Sequence, residues 1–360
     1  MTTQHRYTFL DALRGVAALC VGVLHTTQIF KLGHEPFHAS LAVDFFFCLS
    51  GFVIAFAYDK KFHSGLTTAD FMVRRLIRLY PLIIFSIGLG SLVLMLNAAA
   101  DPDLSMQKIS VLIVSGILLI PAGLAYGMQA YPVNNPIWSL FFEIFVNGVY
   151  AIFWREPARS SGFVVLWFIA ILLAVAIFSG SGLDRVGFGS FRDFGFGFFR
   201  VGYPFLAGIL IFRLPPRILQ SLTVSWIVPS LLLLLMLLNY SYRGSVRYDL
   251  LCALLVMPLI VALGSVVVTT SSILKNLFEW LGALSYPFYL IHAPVLRICR
   301  HLTESAGLFV GHDRMAAAAS LMVSILCALI VLKLYDVPVR NWLANRRRAA
   351  ASYSKLRPID

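Results

Sequence analysis

Eleven mostly apolar stretches follow one another along the chain, at about 9–30, 41–58, 77–97, 109–125, 137–154, 163–179, 198–212, 226–240, 250–268, 278–299 and 316–337. At about 1.5 Å of rise per helical residue, most approach the roughly 30 Å needed to cross the hydrocarbon core of a bilayer. Backbone N–H and C=O groups find no partner in lipid, so such stretches fold as helices that satisfy their own backbone. The fold class expected is therefore all-α, a polytopic integral membrane protein. Composition agrees. The chain is 59% hydrophobic and only 13% charged over 360 residues, a balance that no water-soluble domain of this length needs. The net charge of +12 does not point to nucleic acid, because the basic residues collect at the ends of apolar runs, as the positive-inside rule expects. The five cysteines all fall inside apolar runs without ligand spacing, so neither a metal site nor a disulfide framework is expected. Asp11 and Arg14 interrupt the first apolar run and no small-residue cleavage site follows, so it is not expected to be a cleaved signal peptide.

Lys and Arg set the expected orientation. Arg340, Arg346, Arg347, Arg348, Lys355 and Arg357 mark the C-terminal end as cytoplasmic, and Lys60, Lys61, Arg74, Arg75 and Arg78 mark the loop before the third stretch likewise. Both chain ends then lie inside, which demands an even number of crossings. The stretch 109–125 is short, broken by Pro121 and flanked by Pro102, Pro132 and Pro136, so it reads as re-entrant or interfacial. The expectation is about ten transmembrane helices plus that segment, divided into a membrane-embedded domain at 1–340 and a basic cytoplasmic tail at 341–360.

Ionisable residues inside apolar runs are costly and are by default functional candidates. Arg14 and His25 share the first run. Eleven residues at about 100° each turn roughly 1100°, which puts both on one helix face about 16 Å apart. Ala18 and Gly22 lie on the same face and leave room beside it. In the expected topology His25, Asp44, Glu143, Arg200 and His292 share the outer half, and Arg14, Arg74, Arg75 and Arg78 the cytoplasmic side. Two polar sites on opposite faces imply a reaction or passage joining two compartments. Each residue has a plainer reading. The arginines serve as headgroup anchors, His292 with Tyr286 and Tyr289 as an interhelical hydrogen-bond cluster, and Asp44 as a helix cap. His25 and Glu143 are the hardest to explain by packing.

At these positions the chain resembles the membrane-bound acyltransferase 3 family. The spacing of Arg14 and His25 matches its first-span signature. The runs Asp44–Phe52, Arg74–Pro81, Trp138–Glu143, Arg200 with Phe205 and Gly208, and Ser285–His292 are similar to five further motifs, in order. Asp336 before Val337 and Pro338 departs from the glutamate that many relatives carry, a change expected to matter little. The resemblance implies transfer of an acyl group, usually acetyl, from acetyl-CoA or another acyl-CoA to a hydroxyl of a glycan, exopolysaccharide or lipid-linked sugar, in the plasma membrane of a bacterium with both termini cytoplasmic. Coenzyme A is a polyanion, and guanidinium groups bind phosphates through charge-assisted hydrogen bonds. Arg14, Arg74, Arg75 and Arg78 are therefore the expected donor site, with the pantetheine arm running along the Arg14–Ala18–Gly22–His25 face. His25, Glu143 and His292 are the expected catalytic residues. His25 serves either as general base or as transient acyl carrier, and Glu143 orients it. Asp44, Ser139, Arg200, Tyr286 and Tyr289 are expected to contact the acceptor. The alternative reading is a secondary transporter, which also buries charges among about ten spans but is built from matched halves that are not visible here.

Overall fold

The computed structural model describes residues 7–33, 38–98, 104–153, 159–176, 182–215, 225–238, 245–268 and 271–356. Among them there is no strand. The helices are α1 (Thr8–Ile29), α2 (Ala42–His63), α3 (Thr68–Ala98), α4 (Met106–Ile117), α5 (Ile137–Phe153), α6 (Arg159–Ala176), a single turn α7 (Gly182–Arg185), α8 (Phe191–Arg213), α9 (Ile227–Leu238), α10 (Val246–Ser265), α11 (Ser272–Ser305), α12 (Asp313–Val331) and α13 (Val337–Leu356). Starts are fixed locally. Ser105, Ser190 and Ser271 precede α4, α8 and α11, and each side chain accepts a hydrogen bond from the backbone N–H three residues on, which satisfies a donor the helix itself leaves open. Large apolar side chains such as Phe153, Trp167, Leu235 and Leu334 point outward and are mostly exposed. A surface of that kind faces lipid rather than water.

Among the described residues, six helical stretches are long and apolar enough to cross a membrane: Thr8–Ile29, Ala39–His63, Thr68–Ala98, Phe191–Arg213, Val246–Ser265 and Asp313–Ala349. Length and composition alone thus account for six of the roughly ten expected. Helices α5 and α9 are apolar but short, at 17 and 12 residues, and α11, at 34 residues, carries Ser285, Tyr286, His292 and Arg297 along its length. The expected tail at 341–360 is helical over its described part. Helix α12 continues through a five-residue π-helical segment, Leu332–Asp336, into α13 and on to Leu356. Arg347 on it pairs with Asp70 at the start of α3, so both lie at the same end of the bundle.

The segment expected to be re-entrant, 109–125, holds the 12-residue α4, about 18 Å long and too short to cross. It ends level with the middle of α3, where Tyr80 Oη donates to the Ile117 carbonyl at 2.9 Å. The chain then turns at Leu119, whose φ of 58° is uncommon for a non-glycine residue. The Tyr131 hydroxyl holds that turn through the Leu119 carbonyl at 2.7 Å. Helix α5 starts next to Asn134, which donates to the Leu290 carbonyl. It ends where Thr68 Oγ1 donates to Ala151, so α5 runs antiparallel to α3.

Two helix pairs carry the site. Helices α1 and α11 lie parallel, with Asp11 against Gly282, Gly22 against Phe288 and His25 against His292. Helices α2 and α8 lie parallel at backbone contact, with Asp44 against Arg200 near one end and Asp59 against Arg213 near the other. A Cβ at Gly51 would overlap the Phe205 carbonyl, and one at Gly208 the Cys48 carbonyl. Small residues allow this approach in helices that gain little from apolar burial against lipid.

Candidate active site

At the N-terminal end of α1 the guanidinium of Arg14 lies between the two parallel helices. Its Nε donates to Ser285 Oγ at 2.9 Å and one Nη to the Gly282 carbonyl at 2.8 Å, and Asp11 pairs with it at 2.9 Å. Beside it opens a cavity of about 250 Å³ whose wall includes Arg14, Arg75, Arg78, Ser139, Glu143 and Tyr286. Glu143 accepts from Arg75 at 2.7 Å and from Ser50 Oγ at 3.1 Å. The Nε of Arg75 is buried and has no hydrogen-bond partner, a costly state for a charged donor. Arg78 lies over the Tyr286 ring at 5.5 Å and 3.9 Å from the buried Asp336. Asp336 is also 2.7 Å from Arg340, so it sits behind the arginines. The fourth expected donor residue, Arg74, is exposed and does not line the cavity. On a helix it stands about 40° to one side of Arg78, with Arg75 about 60° to the other.

Toward the other end of α1, His25 Nδ1 lies 2.8 Å from His292 Nε2, with the rings nearly parallel and 5.0 Å apart. The proton positions follow from the partners. His292 Nδ1 is 2.9 Å from the Phe288 carbonyl, which only accepts, so that nitrogen carries the hydrogen. In the neutral ring Nε2 is then the acceptor, and His25 Nδ1 donates to it. His25 is left with an unprotonated Nε2. His292 is fully buried with both nitrogens used. It lines neither the cavity beside Arg14 nor the one that His25 borders. Two of the expected catalytic residues, His25 and His292, thus contact each other, while the third, Glu143, is engaged with Arg75 and Ser50.

His25 lines a second cavity of about 360 Å³, together with Ser40, Asn135, Asp184 and Arg200. Val43 and Tyr289 border both cavities, so the two spaces meet at that pair. Tyr289 Oη is 2.9 Å from Ser139 Oγ. Since Ser139 donates to the Pro136 carbonyl at 3.0 Å, the tyrosine hydroxyl donates to the serine. Ser139 and Tyr286 line only the first cavity. They stand with the arginines, away from His25, where they were expected to hold acceptor. The expected route along α1 is also altered. The space left by Gly22 is filled by the ring of Phe288, which stacks on His292 at 5.2 Å. The two cavities adjoin at Val43 and Tyr289 instead.

Asp44 and Arg200 were expected to bind acceptor. They are buried and form a closed clamp. Arg200 Nε and one Nη donate to the two carboxylate oxygens of Asp44 at 2.9 and 2.8 Å. The remaining donors go to the carbonyls of Leu183, Val186 and Ser40 at 2.7, 2.8 and 3.1 Å. A guanidinium has five N–H groups, and all five are used. A second buried pair, His38 and Asp249 at 2.8 Å, adjoins it through Ser40, which donates to Asp184 at 2.7 Å. Neither His38 nor Asp249 stands out in the sequence, because they are 211 residues apart and each looks like a residue flanking an apolar run.

Among the described residues no group of three or more His, Cys, Asp or Glu is placed to hold a metal ion. No solved structure matches the chain. Among curated proteins, "Protein 2 in picA locus" of Rhizobium radiobacter is 36% identical over 186 residues, covering 48% of this chain and 94% of that protein. "Acyltransferase MdmB" of Streptomyces mycarofaciens is 29% identical over 181 residues, 48% of this chain and 45% of its own length. "Exopolysaccharide production protein ExoZ" of Rhizobium meliloti (strain 1021) is 28% identical over 142 residues, 38% of this chain and 43% of its own. The matches to the last two thus span less than half of each relative. Residues 7–333, nearly the whole chain, match the acyltransferase domain of the acyltransferase 3 family, and the chain belongs to that family.

Proposed function

We propose that this membrane acyltransferase moves an acyl group, acetyl in the first instance, from acyl-CoA held at the arginine end to a hydroxyl of a glycan or lipid-linked sugar presented at the histidine end. The observation that carries this reading is the meeting of the two cavities at Val43 and Tyr289, one lined by Arg14, Arg75 and Arg78 and the other by His25. The orphaned N–H of Arg75 fits a phosphate or carbonyl oxygen of the donor. A cavity of about 250 Å³ suits the slender pantetheine and acyl end of that molecule, with the nucleotide left at the mouth. Similarity to an exopolysaccharide production protein supports a glycan acceptor. The charge rule gives the sidedness: the Arg347–Asp70 end is cytoplasmic, in the plasma membrane of a bacterium, and both chain ends lie there.

In this reading His25 Nε2 takes the proton of the acceptor hydroxyl while its oxygen attacks the thioester carbon. His292 holds the ring through His25 Nδ1. The carbon–sulfur bond then breaks, the proton passes from His25 to the leaving thiolate, and the acyl ester stays on the acceptor. General-base assistance of this kind is worth about 10²–10⁴-fold. The test is His25→Ala in purified protein. Acyl transfer should fall by about that factor while acyl-CoA affinity, measured by calorimetry, stays within about twofold. Near-normal transfer by the variant would remove His25 from the chemistry.

A further inference from the structure

Gln28 borders the His25 cavity on one side and a further cavity of about 370 Å³ on the other. This space lies between the C-terminal ends of α1, α3 and α11, and its polar wall is Gln28, Asn97, Arg297, Arg300, His301 and Glu304. The charges do not cancel. Arg300 is spoken for, with Nε donating to Glu304 at 2.6 Å and an Nη to the Ile29 carbonyl. Arg297 forms no hydrogen bond or ion pair with any described residue, although it is only partly exposed. Anchoring at the headgroups is a poor account of it, because the proposed sidedness puts this end outside, where the positive-inside rule gives arginine no advantage. An uncompensated guanidinium in a walled space is a receptor for an oxyanion, which it binds in a fork of two N–H donors.

We infer that this cavity binds an oxyanion, a phosphate ester or carboxylate, carried by the acceptor. Arg297 lies about 7.5 Å along α11 from His292. A sugar whose hydroxyl meets His25 then places a charge on its own or the neighbouring unit at Arg297. Neutral glycans would be poor acceptors, and the enzyme would select charged polysaccharide units or sugars linked through phosphate to a lipid. The inference rests on the reading of the His25 side as the acceptor side.

The probe is inorganic pyrophosphate, titrated by calorimetry into the full-length protein in phosphatidylcholine nanodiscs, with coenzyme A saturating so that the donor arginines are filled. Wild type should bind, and Arg297→Gln should weaken binding by about tenfold or more. Arg297→Lys, which keeps the charge but not the fork, should fall between them. Coenzyme A affinity is measured on each variant and establishes that it is folded. Absence of binding to wild type, or equal binding by Arg297→Gln, overturns the inference. If phosphatidylglycerol in the nanodisc displaces pyrophosphate from wild type, the occupant is a bilayer headgroup and the assignment to the acceptor is overturned. His25→Ala is not expected to change pyrophosphate binding. A failure of the catalytic reading of His25 is therefore distinguishable from a failure here.

Discussion

Arg200 and Arg75 are both arginines inside the bundle, and each is paired with a carboxylate by a charge-assisted bond of 2.7 to 2.9 Å. The difference lies in what remains. Arg200 meets Asp44 and three carbonyls and has no donor left, whereas Arg75 keeps a buried Nε without a partner at the edge of a cavity. A saturated guanidinium is a fastener, and an unsaturated one is a receptor. Both residues lie in family motifs, so motif membership does not separate the two roles. The count of satisfied donors does.

Removing the fastener gives the largest effect. Arg200→Ala leaves Asp44 and three carbonyls buried without their donor, and breaking such a pair costs about 3–5 kcal/mol. The expected outcome is a steep loss of folded protein in detergent, read by thermal unfolding or fluorescence-detected gel filtration. If Arg200→Ala instead folds normally and fails only with acceptor, the comparison collapses and Arg200 returns to the acceptor site. Next in size is Arg75→Gln. It should cost about 1.5–3 kcal/mol of acyl-CoA binding, ten- to a hundredfold in Kd, with a small change in melting temperature. An unchanged Kd moves the donor elsewhere.

Tyr286 divides the comparison within one side chain. Its hydroxyl is committed to the Leu79 carbonyl at 2.8 Å, and its ring lies under Arg78. Tyr286→Phe should therefore lower stability by about 0.5–1.5 kcal/mol and leave acyl-CoA affinity within about twofold. A large loss of affinity would put the hydroxyl itself on the ligand. The smallest effect is expected at Arg74, which is exposed beside the cavity. Arg74→Gln should not change Kd measurably, and a tenfold loss would show that its side chain swings in when the donor binds.

What was legible in the sequence was set by distances along the chain. The helical period puts Arg14 and His25 on one face. The short, proline-broken stretch after α3 is likewise recognisable as one that turns back. Contacts between distant residues were not legible. His25 and His292 are 267 residues apart, and no local rule brings them to 2.8 Å. Gly22 looked like an open channel because a glycine records only that space is needed. The ring of Phe288, supplied by another helix, takes that space. Glu143 was assigned to His25 on depth alone, yet depth does not specify azimuth, and the helix turns its carboxylate toward Ser50 and Arg75.

The glycine contacts between α2 and α8 bear on how the acyl group can get through. At Gly51 and Gly208 the two backbones touch with no side chain between them, so the pair behaves mechanically as one stiff plate. Val43, Phe46, Phe47, Ser50, Val53 and Ile54, which form one side of the donor cavity, are all mounted on that plate. It has no slack with which to retreat. Widening the passage past Val43 therefore falls to the opposite wall, where Tyr289 is latched to Ser139 by one hydrogen bond. The boundary between the two cavities is thus held on one side by touching backbones and on the other by one side-chain hydrogen bond.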